Sequence, residues 1–134
     1  TDEAVNYKFK QDPGDFNSLG AIRINFPSAH GVYMHDTPSR NLFGEDFRFH
    51  SSGCVRVQNV RELVTWLLHD TQGWPRSQID NVIRSGDRKD ARLSKPVPLY
   101  WVYLTAWVTE GVVQFRDDIY GRDGAGGGTS LGRG

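Results

Sequence analysis

The stretch Ser51-Ser52-Gly53-Cys54-Val55-Arg56-Val57 places the one cysteine of the chain in a glycine turn at the start of a β-branched run. An earlier stretch, Tyr33-Met34-His35-Asp36-Thr37-Pro38, contains a histidine. A thiol of ordinary acidity is only a few per cent thiolate at neutral pH, so a catalytic cysteine needs an imidazole or another cation beside it. The two stretches therefore predict Cys54 as a nucleophile and His35 as its base.

Short strands are predicted on both sides of these stretches. Residues 21–26 alternate apolar and polar side chains with period two, and residues 31–35 form a second strand after a turn at 27–30. The two strands are predicted to pair as a hairpin that brings His35 to its end. A third strand is predicted over residues 54–57, directly after the glycine turn.

Helical spacing follows the third strand. Asn59 is predicted to cap a helix whose apolar face contains Val60, Leu63, Val64, Leu67 and Leu68. Ser77 is predicted to cap a second helix that ends at Gly86. Strands are then predicted over residues 97–108 and 112–115, joined by a Glu110-Gly111 turn. The Gly-rich tail, residues 124–134, is predicted to be flexible.

The composition indicates one domain or part of one. The chain has 134 residues, 37% of them hydrophobic, and its 16 Lys and Arg balance its 16 Asp and Glu. Zero net charge predicts no nucleic-acid partner, and the lack of an 18-residue apolar run predicts no transmembrane segment in this chain. Four scattered histidines and one cysteine include no close ligand pair, so we expect neither a metal nor another cofactor.

Six blocks of sequence occur in an order that is typical of one family. They are Gln11-Asp12-Pro13-Gly14 through Asn17-Ser18-Leu19-Gly20, Tyr33-Met34-His35-Asp36-Thr37-Pro38, Asn41-Leu42-Phe43, Ser51-Ser52-Gly53-Cys54-Val55-Arg56-Val57, Tyr103-Leu104-Thr105-Ala106 and Asp118-Ile119-Tyr120. Together they resemble the catalytic domain of L,D-transpeptidases of the YkuD type, and most of all its large Gram-negative, YcbB-like branch. The resemblance covers roughly residues 7–123.

The resemblance implies a fold and a location. The expected fold is mainly β with a helical insertion, a YkuD-like catalytic fold that is truncated at the N-terminal side. On this interpretation residues 1–123 are a partial catalytic domain, a helical cap covers the site at about 60–93, and residues 124–134 are a tail. The expected location is the periplasm or cell envelope of a Gram-negative bacterium.

The resemblance also implies an activity on peptidoglycan. Cys54 is expected to attack a donor tetrapeptide stem and release D-alanine, after which a diaminopimelate side-chain amine completes a 3→3 crosslink. His35 is the implied base, and backbone N–H groups near Gly53 are the implied oxyanion hole. Peptide stems are the expected partners, and carbapenems are expected inhibitors. The predicted substrate-binding residues are Arg56, Ser51, Ser52 and Tyr33.

The sequence allows two possible roles for several of these residues. Ser52 stands where many relatives have a second histidine, although YcbB-like members commonly carry serine there. His50 lies four residues before Cys54 and is an alternative base. Arg56 either binds a substrate carboxylate or pairs with a surface acid. Asp36 is either a structural acid in a turn or the group that orients the base.

The sequence also allows other functions for this chain. A hydrolase of the same fold would give the thioester to water and act as an L,D-carboxypeptidase. A peptidoglycan-binding module with a decayed site would not be an enzyme at all, although the presence of both His35 and Cys54 argues against decay. A papain-like or NlpC-like cysteine protease normally places its cysteine before its histidine, which is the opposite of the order here.

Overall fold

A computed structural model of the protein describes residues 11–124. The chain divides into two compact units, Thr1–Val97 and Pro98–Gly134. The predicted flexible tail falls on residues 124–134, and residues 125–134 lie outside the described part of the chain.

The first unit contains a small three-stranded sheet. Its strands are β1 (Arg23–Ile24), β2 (Met34–His35) and β3 (Val55–Arg56), in the order β1-β2-β3. The antiparallel pairing of β1 with β2 confirms the predicted hairpin. Each strand is shorter than predicted, because only two residues of each take part in the ladder. The central strand of this sheet carries His35.

Strand β3 runs parallel to β2. A parallel neighbour cannot be reached by a tight turn and needs a crossover of a dozen or more residues. The chain supplies this connection between His35 and Val55, with a 3₁₀ helix at Arg40–Gly44 inside it. The long segment between the two predicted site residues is therefore what allows their strands to lie side by side.

Two α-helices follow the sheet, α1 (Val60–Leu67) and α2 (Arg76–Ser85). Asn59 precedes α1 as predicted, but its side chain makes no capping hydrogen bond. The prediction of Ser77 as the cap of α2 is wrong, because the helix begins directly after Pro75. Proline has a φ suited to a helix start and no N–H group that needs a partner there. Gly86 ends α2 with a φ of +73°, as predicted.

The helices pack through a few buried apolar side chains, which are Val60, Leu68 and Ile79. On the exposed side Arg76 contacts Glu62 at 3.2 Å and Asp80 at 3.3 Å. An exposed ion pair contributes about 0–1 kcal/mol, whereas burying one large aliphatic side chain contributes about 1.5–3 kcal/mol. The apolar contacts therefore stabilise the helix pair more than the charged ones do.

The second unit contains a hairpin of β4 (Ala106–Thr109) and β5 (Val112–Phe115). Glu110 and Gly111 both have positive φ, +52° and +78°, which is the two-residue turn that suits the twist of a hairpin. The hairpin is confirmed, but only the end of the predicted strand 97–108 pairs. The described residues thus form a small mixed fold of a few strands and helices, and the mainly β fold with a helical insertion stays a prediction.

Candidate active site

His35 is almost fully buried on the central strand, with 5% of its surface exposed. Its ring Nδ1 lies 2.5 Å from the carbonyl oxygen of Asp36. A carbonyl oxygen only accepts hydrogen bonds, so Nδ1 carries a proton and donates it. In the neutral ring Nε2 then has the free lone pair, which can take a proton from a thiol.

The side chain of Asp36 has a separate contact. Its Oδ2 accepts a hydrogen bond from the N–H group of Ala21 at 3.1 Å. Gly20 lies against the same carboxylate with a φ of +60°, and a Cβ atom there would come within 2.5 Å of Oδ2. Both interpretations of Asp36 therefore hold, for different atoms. The carboxylate stabilises the turn before β1 through its hydrogen bond with Ala21, and the main-chain carbonyl orients the His35 ring.

Cys54 directly precedes β3 and is partly exposed. Ser51 closes the turn before it, because its hydroxyl donates to the Cys54 carbonyl at 2.7 Å and accepts from the Gly53 N–H group at 3.2 Å. Gly53 has a φ of +147°, and a Cβ atom there would lie 3.3 Å from Val32. Backbone conformation and space both favour glycine at the position before the cysteine.

The strand register relates His35 to Cys54. In the parallel pair His35 lies opposite Arg56, and Met34 lies opposite Val55. Side chains alternate between the two faces of a sheet along each strand. Continued by one residue, this alternation puts Cys54 on the face shared by Arg56 and His35. The base and the nucleophile predicted from the sequence are therefore diagonal neighbours on adjacent strands.

Arg56 lies on the same face, in a half-buried position. Its Nη2 approaches the carbonyl oxygen of His50 at 3.5 Å, and its buried Nε has no hydrogen-bond partner among the described residues. No described carboxylate lies within ion-pairing distance of it, although other arginines of the first unit have such partners. Residues 11–124 therefore offer no acid that would make Arg56 one half of a surface ion pair.

His50 is engaged elsewhere. Its Nε2 lies 3.1 Å from a carboxylate oxygen of Glu45, and both side chains are well exposed. The two residues belong to the crossover connection rather than to a strand. This contact pairs the His50 ring with an acid of its own loop, whereas the His35 ring is fixed on the sheet next to β3.

The model of the YkuD family, described as the L,D-transpeptidase catalytic domain, matches residues 2–96 of the chain. The chain belongs to the YkuD family. A Haemophilus influenzae protein that carries the name "Putative L,D-transpeptidase" is 37% identical over 122 residues, which make up 91% of this chain and 24% of that protein. The chain thus spans about a quarter of the length of this relative. The family predicted from the six sequence blocks is confirmed.

This YkuD domain has a further residue on the site face, Arg23, which is not among the site residues predicted from the sequence. Arg23 on β1 lies opposite His35 in the antiparallel pair. Its Cζ lies 5.2 Å from the ring centroid of Tyr33, and the Tyr33 ring packs edge-on against the His35 ring with 6.0 Å between centroids. The period-two pattern of residues 21–26 could have indicated it, since it gives Arg23 a polar position on the hairpin.

Two blocks of the YkuD resemblance lie in the second unit, where they contact each other. The hydroxyl of Tyr103 donates to Asp118 at 2.7 Å. The N–H groups of Arg122 and Asp123 donate to the same carboxylate at 2.9 and 3.1 Å. The Tyr103 hydrogen bond and these N–H groups hold the pKa of Asp118 below its usual value, because they stabilise the charged form. This cluster stabilises the local loop of the second unit.

Residues 11–124 contain neither a cluster of metal-ligating side chains nor a helix that could span a membrane. No three His, Cys, Asp or Glu side chains of that range lie close enough together to hold a metal ion. No helix of that range is both long and apolar enough to cross a membrane.

Proposed function

We propose that this YkuD domain is a peptidoglycan L,D-transpeptidase with Cys54 as its nucleophile and His35 as its general base. The observation that carries the proposal is the diagonal placement of the two residues on one sheet face, with His35 Nδ1 held by the Asp36 carbonyl. A nucleophilic thiol needs a base within reach and a third group that orients the base. The main chain of Asp36 supplies that third group here.

The first half of the proposed reaction acylates the enzyme. His35 Nε2 takes the thiol proton, and the Cys54 sulfur attacks the carbonyl carbon that joins diaminopimelate to the terminal D-alanine. A C–S bond forms and a tetrahedral oxyanion results. When the C–N bond breaks, the imidazolium returns its proton to the D-alanine nitrogen. Free D-alanine leaves, and the stem stays attached to Cys54 as a thioester.

The second half transfers the stem. The side-chain amine of a second diaminopimelate attacks the thioester carbonyl, and His35 Nε2 accepts the proton that the amine loses. The C–S bond breaks as the new C–N bond forms, and the imidazolium returns the proton to the Cys54 sulfur. The product is a 3→3 crosslink. Atoms and protons balance without any co-reactant beyond the two stems.

The proposed oxyanion hole is made by main-chain N–H groups near Gly53. The Gly53 N–H group already donates to Ser51 Oγ at 3.2 Å, so we assign the first donor to the Cys54 N–H group. Preorganised amides of this kind stabilise charge that develops in the transition state. The Ser51 hydroxyl holds the turn at both ends, and its contribution to substrate binding is therefore indirect.

We propose three direct substrate contacts on the same face. Arg56 has a buried Nε without a partner and no described acid beside it, which suits a guanidinium that pairs with a stem carboxylate. Tyr33 lies opposite the position of Cys54 by the strand register and presents a ring to a bound stem. Ser52 is exposed in the glycine turn and can donate its hydroxyl.

The wider assignments are also proposals. We propose that residues 1–123 form part of a catalytic domain, that the helical segment at about 60–93 acts as a cap that protects the thioester from water, and that carbapenems acylate Cys54. Activity on peptidoglycan implies the periplasm or cell envelope as the site of action. The mutual packing of α1 and α2 supports a cap that is built as one piece.

The competing candidate is an L,D-carboxypeptidase, which shares the acylation step and differs in the group that attacks the thioester. Disaccharide-tetrapeptide at high concentration, followed by chromatography with mass detection, separates the two. We expect a crosslinked dimer together with free D-alanine, and neither product from a folded Cys54→Ala control. Tripeptide without dimer would identify a hydrolase, and an unchanged substrate with folded protein would identify a non-catalytic module.

A further inference from the structure

We propose that Arg23 is a second carboxylate-binding residue of the site, which recognises the peptide stem from strand β1, on the same face of the sheet as Arg56 on β3. This inference rests on the proposed function, because the ligand is the donor stem. It begins from the register of the sheet. Arg23 on β1 and Arg56 on β3 both lie opposite His35 on β2.

Residues that lie opposite one another in a sheet point to the same face. Arg23, His35 and Arg56 therefore form one row across the three strands, with an arginine on each side of the histidine. Neighbouring strands are about 4.8 Å apart, which puts the two arginine backbones about 10 Å apart. An extended peptide advances about 3.3–3.6 Å per residue, so two or three stem residues bridge this distance.

No carboxylate of the described residues lies within ion-pairing distance of the two arginines of this row. Arg61 and Arg76 on the helices both pair with carboxylates within 3.5 Å. Neither Arg23 nor Arg56 has such a pair in the part of the chain that the structure describes, and the buried Nε of Arg56 has no acceptor at all there. The carboxylate of Asp36 is held by Ala21. Two guanidinium groups that have no ion-pair partner among the described residues, and that belong to one row with the proposed base, suit a ligand with more than one carboxylate.

The contact with Tyr33 positions the Arg23 guanidinium before a carboxylate binds. Its guanidinium lies over the Tyr33 ring, with Cζ 5.2 Å from the centroid. Stacking engages the face of the guanidinium and leaves the N–H groups at its edge available for a planar carboxylate. A guanidinium that is already held in place loses less conformational freedom when it binds. A donor tetrapeptide offers carboxylates on its glutamate, its diaminopimelate and its terminal D-alanine.

The test is a set of three tetrapeptide donors, each amidated at one carboxylate, compared with the unmodified donor. The measured quantity is kcat/KM for release of the terminal residue, which is D-alaninamide for the donor amidated there and D-alanine for the others, by the wild-type protein, Arg23→Gln, Arg23→Lys and the control Arg48→Gln. Arg48 is an exposed arginine of the crossover connection, outside the sheet and outside the proposed cap, and its Nε donates to the carbonyl oxygen of Glu45 at 2.7 Å. Its substitution therefore removes the same charge without touching the row. Circular dichroism confirms that each variant is folded.

We expect Arg23→Gln to lower kcat/KM about tenfold with the unmodified donor, as the loss of one charge-assisted hydrogen bond predicts. One of the three amidated donors should lose a similar factor with the wild-type protein and no further factor with Arg23→Gln. Arg23→Lys should retain part of the activity, and Arg48→Gln should retain all of it. Equal losses on every donor with Arg23→Gln, or no loss at all, would overturn the proposal. Absence of terminal-residue release from every donor by the wild-type protein would instead refute the proposed function.

Discussion

The Nδ1 atom of His35 lies 2.5 Å from the carbonyl oxygen of Asp36, the residue that follows it in the chain. The orientation of the proposed base is thus set by a main-chain group of its own strand end, and a side-chain acid is not needed for it. Such a contact survives any substitution that leaves the backbone in place. It also leaves Nε2 as the ring nitrogen that can accept a proton.

The first prediction compares the loss of activity when His35 or His50 is replaced by alanine. His35→Ala should lower the rate of Cys54 acylation by about 10²–10⁴, the usual loss when a general base is removed. His50→Ala is the matched control, because its ring contacts Glu45 in the crossover connection and we expect a change of less than about threefold. Rates of D-alanine release measured for both variants decide this. A larger loss from His50→Ala than from His35→Ala would move the base to His50.

The second prediction separates the two groups of Asp36. Asn keeps an oxygen that can accept from the Ala21 N–H group, and the main-chain carbonyl is unchanged, so Asp36→Asn should retain activity within about threefold. Asp36→Ala should instead lower stability, because the Ala21 N–H group loses its acceptor. The two variants are compared by D-alanine release and by urea unfolding. A hundredfold loss of activity in a stable Asp36→Asn variant would show that the carboxylate itself takes part in catalysis.

The third prediction concerns the close approach of Gly20 to Asp36. A Cβ atom at position 20 would lie 2.5 Å from Oδ2 and at a φ of +60°, so Gly20→Ala should lower the free energy of unfolding by about 2–4 kcal/mol through strain and the displaced carboxylate. Gly44→Ala is the control, because a Cβ atom there meets no atom within 4 Å. Urea midpoints measured at one pH compare the two. Similar midpoints for both variants would mean that the turn before β1 is more tolerant than this geometry indicates.

The family could be predicted from the sequence because the resemblance rests on short motifs, and the same motifs point to the proposed pair of Cys54 and His35. The glycine turn before Cys54, the alternation of residues 21–26 and the two-residue turn at Glu110-Gly111 each follow from short-range backbone preferences. The helix start was missed at Ser77, since a proline two residues earlier competes with a polar cap, and sequence pattern alone does not rank the two.

The sequence does not predict which residues lie opposite each other on neighbouring strands. The role that we propose for Arg23 depends on its position opposite His35, which is a property of register and of the hairpin that joins β1 to β2. The two contacts of Asp36 were also inseparable from the sequence, because one uses a side chain and the other a carbonyl group. Residues 97–105 have strand-forming side chains, yet they take no part in the ladder, since β propensity is expressed only where a neighbouring strand is available.

The fourth prediction uses the ionisation of Asp118. Hydrogen bonds from Tyr103 and from backbone N–H groups lower the pKa of its carboxyl in the folded state. The ordered loop therefore gains stability that is fully present above the ordinary pKa of 3.8. This stability is lost as the pH falls through the lower pKa of the folded state. Carboxyl carbon NMR across the acid range should give a midpoint below 3.8 for Asp118. Tyr103→Phe should raise this midpoint, and Tyr100→Phe, at an exposed tyrosine, should leave it unchanged. A midpoint that Tyr103→Phe does not move would remove the tyrosine from the explanation.

The most direct test of the account is the mass of the protein after incubation with a donor tetrapeptide or a carbapenem. The account predicts one covalent adduct per chain, located by fragmentation on the peptide that contains Cys54, and no adduct on a folded Cys54→Ala variant. An adduct that persists in Cys54→Ala, or a folded wild-type protein that turns over donor without ever carrying an adduct at Cys54, would contradict the claim that this thiol is the nucleophile.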